Sequence, residues 1–94
     1  MADIYRALSD ATRRRILDLL AERDGMTLFE ICSRLFDEGT GSSRQAISQH
    51  LSVLEESGLL ATERVGRTKV HHFTPEPLRE ITRRWPLDRQ DESS

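Results

Sequence analysis

The spacing of the apolar residues changes at Gly58, and this change constrains the fold more than any other feature of the sequence. Before Gly58, aliphatic residues recur at helical spacing; after it, the segments LLATERV and TKVHHF are extended in character and flank a glycine-arginine dipeptide. Because Gly66 is the first of the two loop residues, a type II′ hairpin is favoured. The pairs expected across this hairpin are Val65 with Thr68 and Arg64 with Lys69.

Three helices are predicted upstream, in the first 40 residues. A short helix covers residues 3–8, and Asp10 caps a second helix that stops at Gly25. Thr27 followed by Glu30 is a capping box, which begins a third helix. Apolar residues at i, i+3, i+4 and i+7 give this third helix one buried stripe, formed by Leu28, Ile31, Cys32 and Leu35. The stretch DEGTGSS then breaks the pattern, so a turn of about six residues leads into the fourth helix.

The chain returns to a helix after the hairpin, in the segment TPEPLREITRRW. Thr74 can cap this last helix, and Pro75 suits its first turn. Leu78, Ile81 and Trp85 then lie on one face. We therefore expect one domain over residues 1–86, followed by a flexible tail over residues 87–94.

The fourth helix begins at Ser42 or Ser43 and carries polar side chains on the outward side of its first two turns. A helix that only builds a core needs no such cluster, whereas these side chains can hydrogen-bond to the base edges and phosphates of DNA. The residues expected to read DNA are Arg44, Gln45, Ser48 and Gln49. Phosphate contacts are expected from Ser43 and His50.

Positive charge is concentrated in the middle of the chain, although the net charge is −2. Residues 42–74 hold three Arg and one Lys against three Glu, and two of those Glu lie at the far end of the fourth helix. A local patch of this kind matters more for a binding site than the charge of the whole protein. The hairpin cations Arg64, Arg67 and Lys69 are expected to bind DNA, with Arg67 at the tip entering or straddling the minor groove.

The predicted order α-α-α-α-β-β-α, mainly helical with one basic β-hairpin, is that of a winged helix-turn-helix. Three segments, ALSDATRRRILDLL, SRQAISQHLSVLEESGLL and ERVGRTKVHHFTPEPLREI, together resemble the ArsR-type bacterial transcriptional regulators over about residues 3 to 86. The resemblance implies a homodimeric repressor on a double-stranded DNA operator, with dimer contacts from the first and last helices. A four-helix core leaves two apolar stripes there that we expect at the dimer interface, namely Ile4, Leu8, Leu78, Ile81 and Trp85.

The chain departs from the metal-sensing members of the family that it resembles. Those members carry a paired-cysteine motif in the third helix, whereas here Cys32 is followed by Ser33 and Arg34. Other members use histidines and acids of the last helix, and TPEPLREITRRW contains no histidine. We therefore expect no metal and no cofactor. The turn in FDEGTGSS is also longer than the family usually shows, which leaves the angle of the fourth helix open.

Two features have competing interpretations. Cys32 lies on an apolar stripe and is expected to be a core residue, with redox or metal sensing as the alternative. The run Arg13–Arg15 is either a solvated face or a set of phosphate contacts. His71 and His72 are neighbours on a strand, so they point to opposite faces and cannot chelate one ion together.

Two other functional classes fit the sequence less well. An enzyme needs a nucleophile and a base in a cleft, and no such constellation is present. A winged helix that binds protein instead of DNA stays open as the alternative, because a fold alone does not define function. No apolar run approaches the roughly 20 residues of a membrane span, and no signal peptide is evident, so a cytoplasmic protein without membrane contact is expected.

Overall fold

The computed structural model describes residues 3–39 and 43–87. The chain forms five α-helices, three β-strands and one 3₁₀ turn within these residues. In chain order they are α1 (Ile4–Leu8), α2 (Ala11–Glu22), β1 (Met26–Thr27), α3 (Leu28–Asp37), α4 (Arg44–Glu56), β2 (Leu60–Val65), β3 (Thr68–Phe73), the 3₁₀ turn (Glu76–Leu78) and α5 (Arg79–Arg84). The predicted tail beyond Leu87 lies outside the described residues.

The helix starts are fixed by the side chains that the sequence predicts as caps. Asp10 accepts a hydrogen bond from the backbone N–H of Arg13 at 3.0 Å, and Thr27 and Glu30 form a complete capping box. Ser43 caps α4 by accepting from the Ala46 N–H at 3.1 Å. These bonds satisfy amide groups that have no partner within a helix, and each stabilises its helix by about 1 kcal/mol.

Helix α4 ends at a Schellman motif that turns the chain directly into β2. Gly58 has φ +85°, its N–H donates to the carbonyl of Glu55, and the N–H of Leu59 donates to the carbonyl of Leu54. A side chain at position 58 would be strained in this conformation. The glycine therefore sets the direction in which the hairpin leaves the helix.

The sheet has three antiparallel strands in the order β1-β3-β2. The hairpin of β2 and β3 has the predicted register, with Val65 opposite Thr68 and Leu60 opposite Phe73. Strand β1 was missing from the prediction of four helices, a hairpin and a helix. Its two residues are too few to show an alternation, and Met26 pairs with a residue 45 positions away, at the far strand of the hairpin.

The core lies between the helices and the inner face of the sheet. Helix α2 contributes its whole apolar stripe, α3 and α4 each contribute one stripe, and Leu59 and Leu60 close the base of the hairpin. The side chains with almost no exposed surface are Ile16, Leu19, Leu20, Met26, Ile31, Leu35, Ile47, Leu54 and Leu59. Burying each of these is worth about 1.5 to 3 kcal/mol, so this cluster orients α4.

The segment after the hairpin differs from the single capped helix that the sequence predicts. Thr74 does not cap a helix, because its hydroxyl donates to the carbonyl of Gly58 at 2.8 Å and its N–H donates to the carbonyl of Leu59 at 2.9 Å. The chain then makes a 3₁₀ turn before the six residues of α5, none of which is fully buried. Thr74 thus attaches the last helix to the end of α4.

Candidate nucleic-acid interface

The first two turns of α4 expose the polar side chains that the sequence singles out. Arg44, Gln45, Ser48 and Gln49 are all exposed, while Ile47 and Leu51 on the opposite side of the helix are buried. Ser43 is exposed as well, but its hydroxyl oxygen already caps the helix. The helix therefore presents hydrogen-bonding groups outward from a rigid core.

The hairpin presents the second part of the surface, with its cations near the tip. Gly66 has φ +66° and Arg67 has a negative φ, which agrees with the predicted type II′ turn. Arg64, Arg67 and Lys69 are all exposed. The hairpin is attached at its base, where Leu60 is buried, so it forms a wing with a charged free end.

Helix α4 and the wing border one groove of about 570 Å³. Arg44 and Ser48 line it from α4, and Arg67 and Lys69 line it from the wing. Glu55 of α4 also lines the groove. We call the exposed residues of these two elements that the sequence predicts to bind bases or phosphates the recognition face, formed by Arg44, Gln45, Ser48, Gln49, Arg64, Arg67 and Lys69. The structure thus brings together residues that are up to 25 positions apart in the sequence.

The cations of the recognition face keep their charge available. Within residues 3–39 and 43–87, none of Arg44, Arg64, Arg67 and Lys69 makes an ion pair with a carboxylate. Arginines elsewhere do, as in the pairs Arg15–Glu38, Arg23–Glu30, Arg34–Glu22 and Arg79–Glu76. An unpaired, exposed guanidinium can bind a phosphate without first losing an internal partner.

Phe29 is a residue of the groove that sequence reasoning missed. It belongs to α3, is 69% exposed, and lines the groove beside the cations of the recognition face. Its position one residue after the start of α3, off the buried stripe of that helix, was the available signal. It gives the groove an apolar wall next to its charged one.

His50 occupies a different environment from the other candidate DNA-binding residues. Its side chain is only 20% exposed, and its Nδ1 lies 3.1 Å from Nη1 of Arg13. The same nitrogen is 3.9 Å from a carboxylate oxygen of Asp10. Nδ1 of the ring therefore contacts Arg13 of α2, and only Nε2 is left for the predicted phosphate contact.

The three side chains of the arginine run Arg13–Arg15 bond to groups of the chain itself, which neither of the two sequence interpretations included. Arg13 donates to the carbonyls of Ala7 at 2.8 Å and Arg6 at 3.1 Å, and Arg14 donates to the carbonyl of Leu8 at 2.7 Å. These carbonyls lie in the last turn of α1, where a helix lacks most of its internal donors and where cations are stabilising, although the carbonyl of Arg6 also accepts from Ser9. Arg15 instead pairs with Glu38.

The two adjacent histidines face opposite sides of the sheet, as their spacing predicts. His71 is buried, with Nδ1 2.9 Å from the carbonyl oxygen of Met26. His72 lies on the outer side, with Nδ1 2.6 Å from Asp24 and Nε2 2.9 Å from Glu63. The Asp24 carboxylate, followed by that of Glu63, raises the pKa of His72 because both favour the charged imidazolium.

Cys32 is a core residue in the structure. It is buried on the inner stripe of α3, and this burial raises the pKa of its thiol above the ordinary value. A raised pKa makes the reactive thiolate less available. Across the described ranges, no three side chains of the His, Cys, Asp or Glu type are grouped as a metal site.

The predicted dimer residues are in three different environments. Ile4 is only 4% exposed and belongs to the core of the single chain, so the idea that its stripe is left uncovered was wrong for this residue. Leu8, Leu78 and Ile81 are partly buried against the same core. Trp85 is 56% exposed, which makes it the open apolar surface of this set.

Tyr5 joins Trp85 in an aromatic cluster that the sequence did not indicate. The two rings meet edge to face with centroids 6.1 Å apart, and the Arg84 guanidinium lies 5.6 Å from the Tyr5 centroid and 4.7 Å from the Trp85 centroid. The cluster joins α1 to the end of α5. It leaves one side of the indole facing outward, next to the exposed Leu87.

The helix-turn-helix formed by α3 and α4, with the β2–β3 wing beside it, defines the class of protein to which this chain belongs. The family model described as a helix-turn-helix domain matches residues 8–63. YuzN of Bacillus subtilis strain 168, an uncharacterised HTH-type transcriptional regulator, is 47% identical over 83 residues, which are 87% of this chain and 90% of YuzN. The transcriptional repressor SdpR of the same strain is 37% identical over 67 residues, 71% of this chain and 68% of SdpR.

Solved structures agree with this class. An ArsR-like transcriptional regulator from Rhodococcus sp. RHA1 superposes with a TM-score of 0.77 at 31% identity, covering 96% of this chain and 75% of its own. The homodimeric winged helix-turn-helix domain of Mb0332 from Mycobacterium bovis shares the fold at 23% identity, with a TM-score of 0.64 over 93% of this chain and 75% of its own. The chain belongs to the ArsR-type family of helix-turn-helix transcriptional regulators.

None of the helices in the described part of the chain combines the length and the hydropathy that a membrane span needs.

Proposed function

We propose that the protein is a transcriptional repressor that binds a palindromic DNA operator as a homodimer, without a metal effector. The observation that carries the proposal is the recognition face. Arg44 and Ser48 of α4 share one groove with wing cations that have no carboxylate partner among the described residues, and the amides of the same two turns of α4 are exposed. Amides and hydroxyls suit base edges in the major groove, and unpaired cations suit phosphates. The relative SdpR is a transcriptional repressor, which supports the direction of regulation.

Within this proposal, the parts of the recognition face have separate tasks. The start of α4 enters the major groove, where Arg44 binds a guanine and Gln45 or Gln49 binds an adenine, and where Ser48 adds a further contact. Ser43 and His50 contact phosphates. Arg67 at the wing tip reaches the minor groove, and the flanking Arg64 and Lys69 bind phosphates, so the wing adds affinity with little choice of sequence.

The homodimer is proposed from the surface that α1 and α5 share. Trp85 is exposed on one side although its other side packs against Tyr5 and Arg84, and Leu87 beside it is 75% exposed. Burial of a large aromatic is worth about 2 to 3 kcal/mol, which favours covering this surface with a second copy. The proposed interface also includes Leu8, Leu78 and Ile81, which are partly buried against the core, and the buried Ile4. The homodimeric domain of Mb0332 supports a second copy as the partner.

The first experiment selects binding sites from random duplex DNA with the purified protein, followed by affinity measurements on the selected site at several salt concentrations. We expect an imperfect palindrome with half-sites about one helical turn apart and a steep loss of affinity with salt. Failure to enrich any duplex would favour the alternative of a protein-binding winged helix.

The second experiment is sedimentation of the wild type and Trp85→Ala. We expect the wild type to be a dimer at tens of micromolar (about 10⁻⁵ M). The dissociation constant of the Trp85→Ala dimer should be at least about tenfold larger, since 1.4 kcal/mol corresponds to a factor of ten. A monomeric wild type would remove the dimer from the proposal.

Addition of zinc or arsenite should leave DNA affinity within about twofold, because no metal site is expected to respond.

A further inference from the structure

We propose that Arg13 is a positioning residue that fixes the recognition helix α4 relative to the end of α1, and thereby sets the half-site spacing that the dimer accepts. The inference rests on the proposed function, because it needs two recognition helices held by one dimer interface. Arg13 itself does not belong to the recognition face.

The guanidinium of Arg13 bonds to two helices at once. Its Nε and Nη2 donate to the carbonyls of Ala7 and Arg6 at the end of α1, at 2.8 and 3.1 Å. Its Nη1 lies 3.1 Å from Nδ1 of His50 on α4. Because the guanidinium is planar and its donors are in fixed directions, binding the two carbonyls also determines where the imidazole must lie.

The contact with His50 requires one protonation state of the imidazole. A guanidinium only donates hydrogen bonds, so Nδ1 of His50 must accept and the ring proton must be on Nε2. Asp10 contacts both residues of this bond. Its carboxylate accepts from the backbone N–H of Arg13 and lies 3.9 Å from Nδ1 of His50. Both side chains of the bond are partly buried, which excludes part of the competing water.

Arg14 provides a comparison within the same helix. Its Nη1 donates to the carbonyl of Leu8 at 2.7 Å, so it also caps α1, and that carbonyl is its only hydrogen-bond partner found among the described residues. Two adjacent arginines therefore stabilise the end of one helix, and one of them continues to the recognition helix. Both arginines cap α1, whereas of the two only Arg13 also bonds to α4.

The consequence for DNA binding follows from the position of α1. Tyr5 of α1 packs against Trp85 in the surface proposed for the dimer, and Arg13 connects the other end of α1 to α4. In a helix-turn-helix dimer, the distance between the two recognition helices must match the distance between half-sites. A rigid link from the dimer surface to α4 makes the protein selective for one spacing.

The test measures affinity for a series of duplexes that contain the selected half-sites at the preferred spacing and with one or two base pairs inserted or removed. The wild type should bind the altered spacings at least about fivefold more weakly. In Arg13→Ala we expect this preference to shrink to within about twofold, because α4 still packs on the core but loses the hydrogen bond that fixes its position relative to α1. Arg14→Ala should keep the preference of the wild type.

A second pair of variants removes the dependence on Arg13→Ala folding well. His50→Leu loses the acceptor and should reduce the spacing preference as Arg13→Ala does. His50→Asn can place its Oδ1 where Nδ1 was, so it should retain the preference, even where loss of a phosphate contact lowers affinity equally at every spacing. Denaturation of each variant verifies that the compared proteins are folded.

One result would overturn the inference while leaving the proposed function intact. It is a spacing preference of the wild type that Arg13→Ala and His50→Leu both retain. A loss of affinity by one common factor at all spacings counts as such retention, since a weaker fold or a lost phosphate contact has that effect. A wild type that binds no duplex refutes the proposed function, and the positioning role with it.

Discussion

At the junction of α1 and α2, the run Arg13–Arg15 binds groups of the chain itself, whereas the arginines of the recognition face have no carboxylate partner in the described residues. The first region is the most basic stretch of the sequence, and the second is made of isolated cations. The two regions contain the same side chain, and what differs is the set of acceptors within reach.

This difference shows that the density of positive charge along a sequence is a poor indicator of a nucleic-acid site. The run in α2 follows directly after the end of a short helix, whose last carbonyls need donors. The wing cations extend from the free end of a hairpin, and within the described ranges their side chains form no ion pair and no hydrogen bond with a carboxylate or a carbonyl. A binding surface is therefore recognised by the cations that folding leaves without a partner.

The largest expected effect is that of removing the wing cations together. The triple variant Arg64→Ala, Arg67→Ala and Lys69→Ala should lower DNA affinity by about 100-fold or more at low salt and reduce the slope of log K against log salt by about five per dimer, since each phosphate contact contributes about 0.9. Fluorescence anisotropy over a range of salt concentrations measures both values.

The matched control removes three arginines that are already in ion pairs, in Arg23→Ala, Arg34→Ala and Arg79→Ala. It changes the net charge by the same amount, so it reports the long-range part of the effect. We expect its salt slope to stay within about one of the wild-type value. Equal slopes in the two triple variants would remove the distinction between paired and unpaired cations.

The second effect concerns stability, to which the run Arg13–Arg15 should contribute more than the wing cations do. Arg13→Ala removes the donor to the Ala7 carbonyl and to one imidazole nitrogen, while the Arg6 carbonyl keeps its bonds from Ser9, so it should lower the free energy of unfolding by about 2 kcal/mol. Arg67→Ala removes no internal bond and should change it by less than about 0.5 kcal/mol. Urea denaturation midpoints compare the two, and similar midpoints would contradict the assignment of Arg13 as an internal donor.

Much of the recognition face could be predicted because its parts are local in sequence. The Ser43 cap, the buried stripe of α4, the turn at Gly66 and the strand register each depend on a few neighbouring residues, and the structure confirms all four. The same holds for the three helices before α4.

The features that the sequence did not predict depend on distant partners. Strand β1 exists because Met26 pairs with His71, and the last helix is displaced because Thr74 bonds to Gly58. The role of Arg13 required knowing that His50 lies beside it, 37 positions away. No local pattern of side chains carries that information.

The third effect tests whether the amides of α4 read bases while the wing does not. Gln49 is exposed on the second turn of α4, and replacing it by Ala should relax the preference at one base position in each half-site by about 1 to 3 kcal/mol. Arg67→Ala should lower affinity for all sequences alike. Binding-site selection with each variant gives the base preferences directly. If Arg67→Ala changed the preferred bases and Gln49→Ala did not, the tasks of α4 and the wing would have to be exchanged.

The smallest expected effect is a pH dependence of stability from His72, which lies at the base of the wing and has a carboxylate at each ring nitrogen. Asp24 and then Glu63 raise its pKa in the folded protein, so folding favours the imidazolium. The contribution is fully present below the pKa of the unfolded chain and disappears as pH rises through the higher folded pKa.

The thermal midpoint of the wild type should therefore fall slightly as pH rises from about 6.5, the ordinary pKa of histidine, through the higher pKa of His72 in the folded protein. His72→Gln keeps a polar side chain but cannot become charged, so this part of the decrease should be missing in the variant. The difference should be small, because the pair of carboxylates is exposed to water. Identical pH profiles would mean that the bonds from His72 do not stabilise the wing, whose position would then depend on Leu60 and the rest of its buried base.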